Sequence, residues 1–260
     1  MRVLSESKAE WKLVENWVRS RATADRPMQV LEAGCGRYWQ LKMDDIQFEL
    51  TGIDMDQAAL DARVKIYHDL QHAVYGDLRT VELPAEQYDV IYCSYVLEHV
   101  VGVEQVLERF ARWLKPGGIM VLRVPDRNSI HGFTVRITPF WFHVFFYRYF
   151  HHMPEAGKPG FPPYRTVHEK SIASRGMHEF ARRHGLVVRD EVLHGDYRHG
   201  NRFMKSLIGA YARVVQVLSL GRVHTKASNL TLLIEKPAAS IEPRSRGSVA
   251  AETRPALAPV

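Results

Sequence analysis

The stretch Val30-Leu31-Glu32-Ala33-Gly34-Cys35-Gly36 decides the fold. An apolar run that closes on two glycines spaced G-x-G reads as a buried strand whose backbone turns sharply at its carboxyl end. Outward from it, between Gln29 and Asp126, short β-branched or aromatic runs alternate with helical patterns, the mark of βαβ units and a parallel sheet. The candidate strands are Val30 to Glu32, Phe48 to Ile53, Ala73 to Tyr75, Asp89 to Cys93 and Ile119 to Val124, followed later by Leu186 to Val192 and Leu230 to Ile234. Gln57 to Tyr67, Val103 to Leu114 and Ser171 to His184 read as helices, the second placing Val106, Leu107, Phe110, Ala111 and Leu114 on one face. Lys115-Pro116-Gly117-Gly118 reads as the turn that ends it. The expectation is an α/β fold with a doubly wound, mostly parallel seven-stranded sheet.

Composition narrows the function classes. The 260 residues are 46% hydrophobic, enough to bury a core without staples, so disorder throughout is excluded. Only Cys35 and Cys93 occur, which excludes a disulfide scaffold and points to a reducing compartment. The charged N-terminus lacks the apolar core of a secretory signal, so a cytoplasmic location is expected. Arg136, Pro139, His143 and Arg148 interrupt the most hydrophobic stretch, which argues against a spanning helix. A net charge of +6 is too small to mark a nucleic-acid binder.

A strand, a glycine turn and a probable helix after Gly36 would aim helix N–H groups at an anion. A dinucleotide fingerprint wants a third small residue three positions after Gly36, but Trp39 stands there, which argues against NAD. Asp54, in Gly52-Ile53-Asp54-Met55-Asp56, ends the next strand where a ribose diol would lie; the alternative is a helix N-cap. Glu32 is a ligand-facing carboxylate or a strand-end group satisfied by backbone.

E-A-G-C-G (32–36), G-I-D-M-D (52–56), G-D-L (76–78), Y-D-V-I (88–91) leading to V-L-E-H-V (96–100), and L-K-P-G-G (114–118) follow one another in order. This series resembles the class I S-adenosylmethionine-dependent methyltransferases, with their Rossmann-like fold, and within them the small-molecule branch with a VLEH segment. The resemblance covers about residues 28 to 126 and continues more weakly to 236. It implies S-adenosyl-L-methionine as cofactor, with Glu32, Gly34 and Gly36 around its methionine portion and Asp54 on the ribose hydroxyls. It further implies Met55 against adenine, Asp77 and Leu78 at the adenine edge, and Cys93 and Ser94 near the sulfonium. A turn-forming Asp77 and a merely buried Cys93 are the alternatives.

For a hydroxyl acceptor a neutral imidazole would take the proton, and His99 and His168 are the candidates. Each has a plainer reading: His99 as a helix-start residue bonded to backbone, His168 as a loop-tying one. Asp126 and His131 could join a metal-assisted version, but spacing alone establishes no site, and no metal is assigned. Cys93-Ser94-Tyr95-Val96 lacks the acidic or Asn residue, Pro-Pro and aromatic of base-amine methylases, which favours an oxygen acceptor.

The expected organisation is an N-terminal helix within 1–27, a cofactor core over 28–126, an insertion over 127–168, the rest of the sheet over 169–237 and a disordered tail over 238–260. Residues 127–168 hold 11 of the chain's 27 Phe, Trp and Tyr, and five Arg or Lys against Glu155. An aromatic helix from Pro139 to His152 would be apolar on more than one face. Two readings follow: a lid packed on the core, or an element at a membrane interface. The expected acceptor is a glycan, glycolipid or other small molecule, with peripheral membrane contact through the insertion. An RNA methyltransferase, an NAD-dependent oxidoreductase and a non-catalytic interaction protein of the same fold are the rivals.

Overall fold

A computed structural model describes residues 2–4, 7–150, 152–158, 161–167, 169–195 and 202–238. Strand β1 (Arg2–Leu4) and helix α1 (Ser7–Arg19) precede β2 (Met28–Ala33), β3 (Phe48–Asp54), α2 (Gln57–Ala62) and β4 (His72–Tyr75). Strand β5 (Tyr88–Ser94), α3 (Val103–Trp113) and β6 (Leu114–Pro125) follow. Then come α4 (Ile130–Ile137), α5 (Phe140–Phe150), α6 (Ser174–Arg183), β7 (Val187–His194), α7 (Arg202–Leu218) and β8 (Asn229–Glu235).

The sheet has eight strands in the order β1-β7-β8-β6-β5-β2-β3-β4. Only β8 runs against its neighbours β6 and β7; the other pairs are parallel. The expected doubly wound, mostly parallel sheet is therefore present, with one strand more than the seven expected. The extra strand is β1, three residues paired to the edge of β7 and too short to leave an alternating pattern.

Successive residues of the central strands serve opposite faces, as the pleat requires. Val30, Val90, Tyr92, Ile119 and Val121 pack on the side of α1, with Val14, Trp17 and Val18. Leu31, Ile91, Cys93, Met120 and Leu122 pack on the other side, against Val106, Leu107 and Phe110 of α3 and Met177 and Phe180 of α6. Both faces being covered explains why the strands read as apolar runs rather than alternations.

Three local expectations are corrected. Lys115 to Gly118 do not form a free turn: they continue as extended backbone of β6, with Gly117 at φ +80° and Lys236 donating to the Gly118 carbonyl at 3.0 Å. No helix follows the glycine loop, because residues 37–47 take an irregular path that buries Leu41 and Met43 under the sheet. The helix expected over Gln57–Tyr67 is α only to Ala62 and closes in a π-helical turn, Arg63–Tyr67.

Helix α7, unforeseen in the sequence, packs Ala212 and Val215 against Ile130 of α4, with Phe133 and, from the segment after α7, Val223 in the same cluster, apart from the main core. Helix α5 has no buried residue, although nine of its eleven residues are apolar or aromatic. A lid with its aromatics buried is thereby excluded for these residues. No helix among the described residues is long and apolar enough to cross a membrane.

Asp56 caps α2, its carboxylate accepting from the Ala58 and Ala59 amides at 2.9 and 3.2 Å. Asp56→Ala is expected to cost about 1 kcal/mol of folding stability, read as a lower urea midpoint at unchanged slope.

Candidate functional site

The chain winds from β2 to β3 and β4 in one direction and from β5 to β6 in the other, so the carboxyl ends of β2 and β5 part at a switch in strand order. A crevice at that point is where open α/β sheets bind ligands. A cleft of about 1110 Å³ opens there, lined from the ends of β2, β3, β4 and β5.

Glu32, Gly34, Gly36, Asp54, Met55, Asp77, Leu78, Ser94 and His99 all line this one cleft. Cys93 does not: it is buried in the core, and burial pushes its thiol well above the ordinary range. His168 lies outside the described residues.

Gly34 and Gly36 take φ +71° and +56°, and the Gly34 and Cys35 amides both donate to the Ile53 carbonyl, at 2.8 and 3.0 Å. A Cβ on Gly34 would stand 2.3 Å from Val96 Cγ2, while one on Gly36 would point into open space. Glycine at 34 is thus needed for close packing of β2 against the segment after β5, and glycine at 36 for its backbone angle and the open approach. The Gly36 amide donates to Asp54 Oδ2 at 2.8 Å, and the Asp56 amide to Asp54 Oδ1 at 2.9 Å. Capping of α2 falls to Asp56, while Asp54, each of whose oxygens accepts from one backbone amide, lines the cleft.

Glu32 has a partner that the sequence reading missed. Arg63 is fully buried and donates to Glu32 Oε2 at 2.9 Å, to the Cys35 carbonyl at 2.8 Å and to both Asp69 oxygens at 2.8 and 2.9 Å. The signal was there: Arg63 falls four residues after the buried Ala59, on the inward face of the helix, and a buried guanidinium requires carboxylates. Burial pushes the Glu32 carboxyl up to about 8, opposed by Arg63. Asp77 pairs with Arg79, which holds its carboxyl below the ordinary range.

His99 stands at the mouth. Its Nδ1 lies 2.7 Å from the Arg165 carbonyl, its ring meets Tyr164 edge-on at 5.9 Å, and its Nε2 is 3.8 Å from Glu98 Oε1. In the neutral tautomer that carries its proton on Nδ1, that N–H donates to the Arg165 carbonyl and Nε2 is the accepting nitrogen. Glu98 is buried, its Oε2 finds no hydrogen-bond partner among the described residues, and burial pushes its carboxyl up to about 8. The two residues considered for metal assistance do not gather at the cleft. Asp126 bonds His224 at 2.5 Å, and His131 sits on α4; neither lines the cleft. Among the described residues the one group spaced to hold a metal ion is Glu104, Glu108 and His184, and none of these lines the cleft either.

A family model described as a methyltransferase domain matches residues 8–189. The chain belongs to the class I S-adenosylmethionine-dependent methyltransferases. S-adenosylmethionine is the cofactor of this family, and the cleft fits it by its own features: an open glycine approach beside a strand-end carboxylate, with an irregular segment in place of a helix directly after the glycine loop. Among curated relatives, the ubiquinone biosynthesis O-methyltransferase of Pseudomonas aeruginosa is 37% identical over 120 residues, 44% of this chain and 50% of that protein. That of Bradyrhizobium diazoefficiens is 34% identical over 105 residues, 39% of this chain and 41% of that protein. The methyltransferase chain thus spans half or less of the length of these relatives. Two solved structures share the fold at low identity. A Bacillus halodurans protein assigned as a methyltransferase covers 86% of this chain and 99% of its own, at 14% identity and TM-score 0.51. A chain from the complex of the Haloferax volcanii Trm112 methyltransferase activator with its methyltransferase partner covers 87% and 89%, at 16% identity and TM-score 0.51.

The raised Glu98 carboxyl fixes a pH dependence. The unfolded chain releases this proton near 4.5 and the folded one near 8, so folding holds a proton across that window and stability falls as pH rises through it. The slope is at most about 1.4 kcal/mol per pH unit. Glu98→Gln is expected to flatten the decline and to raise Tm more at pH 8 than at pH 5; an unchanged slope in thermal melts would mean that Glu98 ionises normally.

Proposed function

We propose that this methyltransferase moves a methyl group from S-adenosylmethionine to a hydroxyl oxygen of a small, membrane-associated acceptor, with a glycan or glycolipid as the favoured class. When bound, the cofactor supplies a methyl activated on a sulfonium sulfur. The chain's own residues have three tasks. Asp54 would accept from the ribose hydroxyls, with Met55, Asp77 and Leu78 around the adenine, and Glu32, Gly34, Gly36 and Ser94 would border the methionine portion. His99 would take the acceptor's hydroxyl proton on Nε2, the ring nitrogen not engaged by the Arg165 carbonyl. The cleft walls would hold the two reactants in line, a large part of the rate for a donor already activated.

The observation that carries the acceptor class is the continuity between cleft and aromatic surface. Tyr164 lines the cleft, and the guanidinium of its neighbour Arg165 lies 4.9 Å over the Phe140 ring, at the start of α5. From there Trp141, Tyr149 and Phe150 are each about two-thirds exposed. Helix α7 adds exposed Leu207, Val214, Val217 and Leu218, and neither helix contains an acidic residue. Aromatic rings with interspersed Arg and Lys suit an anionic lipid surface, and the rings also stack on sugars. Support for oxygen as the accepting atom comes from the curated relatives named as O-methyltransferases and from the lack of a base-amine motif at Cys93-Ser94-Tyr95-Val96.

Extracts incubated with labelled S-adenosylmethionine should yield small molecules one methyl heavier, with the label in an ether linkage. Label recovered only in RNA or protein would overturn the acceptor class. Asp54→Ala is expected to weaken S-adenosylhomocysteine binding by about 1–3 kcal/mol in isothermal titration, and unchanged affinity would remove Asp54 from the site. For the membrane contact, the protein should pellet with phosphatidylglycerol vesicles and not with phosphatidylcholine vesicles. A Trp141→Ser, Phe145→Ser, Tyr149→Ser variant should stay in the supernatant with S-adenosylhomocysteine affinity intact; wild-type protein that never pellets would refute the contact.

A further inference from the structure

One buried cluster reaches the cleft from the side of α1. Arg123, on β6, is 3% exposed, and its guanidinium donates to both oxygens of Glu10 on α1 at 2.8 and 2.9 Å. Its remaining nitrogen bonds Tyr92 Oη and Ser94 Oγ, each at 3.1 Å. The same guanidinium lies 3.9 Å over the Trp11 ring and 5.2 Å over the Tyr95 ring. Glu10 also accepts from Thr231 Oγ1 at 2.9 Å, so both oxygens of this 1% exposed carboxylate are engaged.

What this cluster holds is unusual. Tyr95 has φ +56°, a left-handed backbone that a bulky side chain adopts only against resistance. Of the non-glycine residues with positive φ among those described, Tyr95 is the one that lines the cleft. Its amide donates to the Arg123 carbonyl at 2.8 Å and its ring lies under the Arg123 guanidinium, so one residue fixes both its backbone and its side chain. A strained conformation persists when its surroundings over-determine it, and such positions gather at ligand sites. A turn after β5 could be made without strain by glycine or asparagine; the sequence keeps a tyrosine, and this residue lines the cleft beside Ser94.

We propose that Tyr95 is a ligand-contacting wall of the cofactor cleft, and that Arg123, clamped by Glu10, is a positioning residue that couples α1 to it. On this inference α1 does more than cover the sheet: ordering of the helix and filling of the cleft favour one another, as linkage between two sites requires. The inference rests on the cofactor reading of the cleft, and the experiment separates the two.

The probe is S-adenosylhomocysteine, titrated calorimetrically into the full chain, with Tm measured alongside. Tyr95→Asn tolerates the left-handed backbone and removes the ring. It should keep or raise Tm while weakening the probe at least tenfold, and Tyr95→Phe, which retains the ring, should bind within threefold of wild type. A Tyr95→Asn protein that loses stability but binds within twofold of wild type would make Tyr95 a packing residue and overturn the proposal. Hydrogen exchange supplies the second arm. The probe should slow exchange of α1 amides between Lys8 and Arg19 at least threefold in wild type and leave them unchanged in Tyr95→Asn. Equal α1 exchange with and without the probe in wild type would overturn the coupling. Wild-type protein that binds no S-adenosylhomocysteine would instead sink the cofactor reading itself.

Discussion

The hydrogen bond from the Gly36 amide to the Asp54 carboxylate ties together the ends of β2 and β3, and the site is arranged around it. It exists because the backbone at Gly34 and Gly36 is left-handed, which swings three successive amides of the loop toward the neighbouring strand: two reach the Ile53 carbonyl and the third reaches Asp54. A glycine loop that spends its donors on the adjoining strand has fewer left for a phosphate. The rim around it carries Asp54, Asp56 and Asp77, and no helix follows to offer unpaired amides. Asp77 is itself paired with Arg79 and Arg37 also lines the cleft, so it is the spent loop amides and the strand-end Asp54, more than net charge, that suit a hydroxyl-bearing nucleoside sulfonium in place of a dinucleotide.

Two buried arginines then hold the rim from below. Arg63 draws Glu32, Asp69 and the Cys35 carbonyl into one cluster, so the glycine loop is anchored to the π-helical turn after α2. Arg123 draws Glu10, Tyr92 and Ser94 into another on the far side of the switch point. Each guanidinium is stripped of water, and removing one partner from such a cluster would leave an uncompensated charge, a loss of about 3–5 kcal/mol. Both clusters therefore fix geometry with high stringency. The loop on β2 and the segment after β5 are held against each other with Gly34 on Val96 between them.

Much of the sheet was legible because its strands are buried on both faces: Val30-Leu31, Val90-Ile91 and Ile119 to Leu122 each present apolar side chains to two cores at once. The ordered motifs placed nearly all the candidate cofactor residues on one cleft for the same reason, since each motif ends a strand at the carboxyl rim. What escaped has physical causes. The three residues of β1 and the 13-residue path from Cys35 to Gln47 have no period to read, and α7 packs mainly on α4 through a small separate cluster. Arg63 and Arg123 were visible as charges on inward positions, but their meaning depends on carboxylates 31 and 113 residues away in sequence. Cys93 was misjudged by the pleat: Ser94, one residue on, faces the cleft, and Cys93 faces the core.

The aromatic helix carries the remaining argument. An isolated helix of about 12–15 residues or fewer is marginal in water, and α5 has 11, most of them aromatic residues of modest helix propensity. Ring contacts within the helix, Phe145 on Tyr149 at 4.6 Å and Phe146 on Phe150 at 4.9 Å, leave Tyr149 and Phe150 about two-thirds exposed. A helix that places nine apolar or aromatic residues among eleven and buries none of them is an exposed apolar patch of the kind that marks an interaction surface. Arg165 joins Phe140 to His99, so the start of α5 and the His99 side of the cleft are neighbours. Under the proposed membrane contact, an acceptor resting in a lipid surface would present its hydroxyl to the cleft without leaving the membrane, and most of the translational freedom that alignment with an activated methyl has to overcome would be lost beforehand.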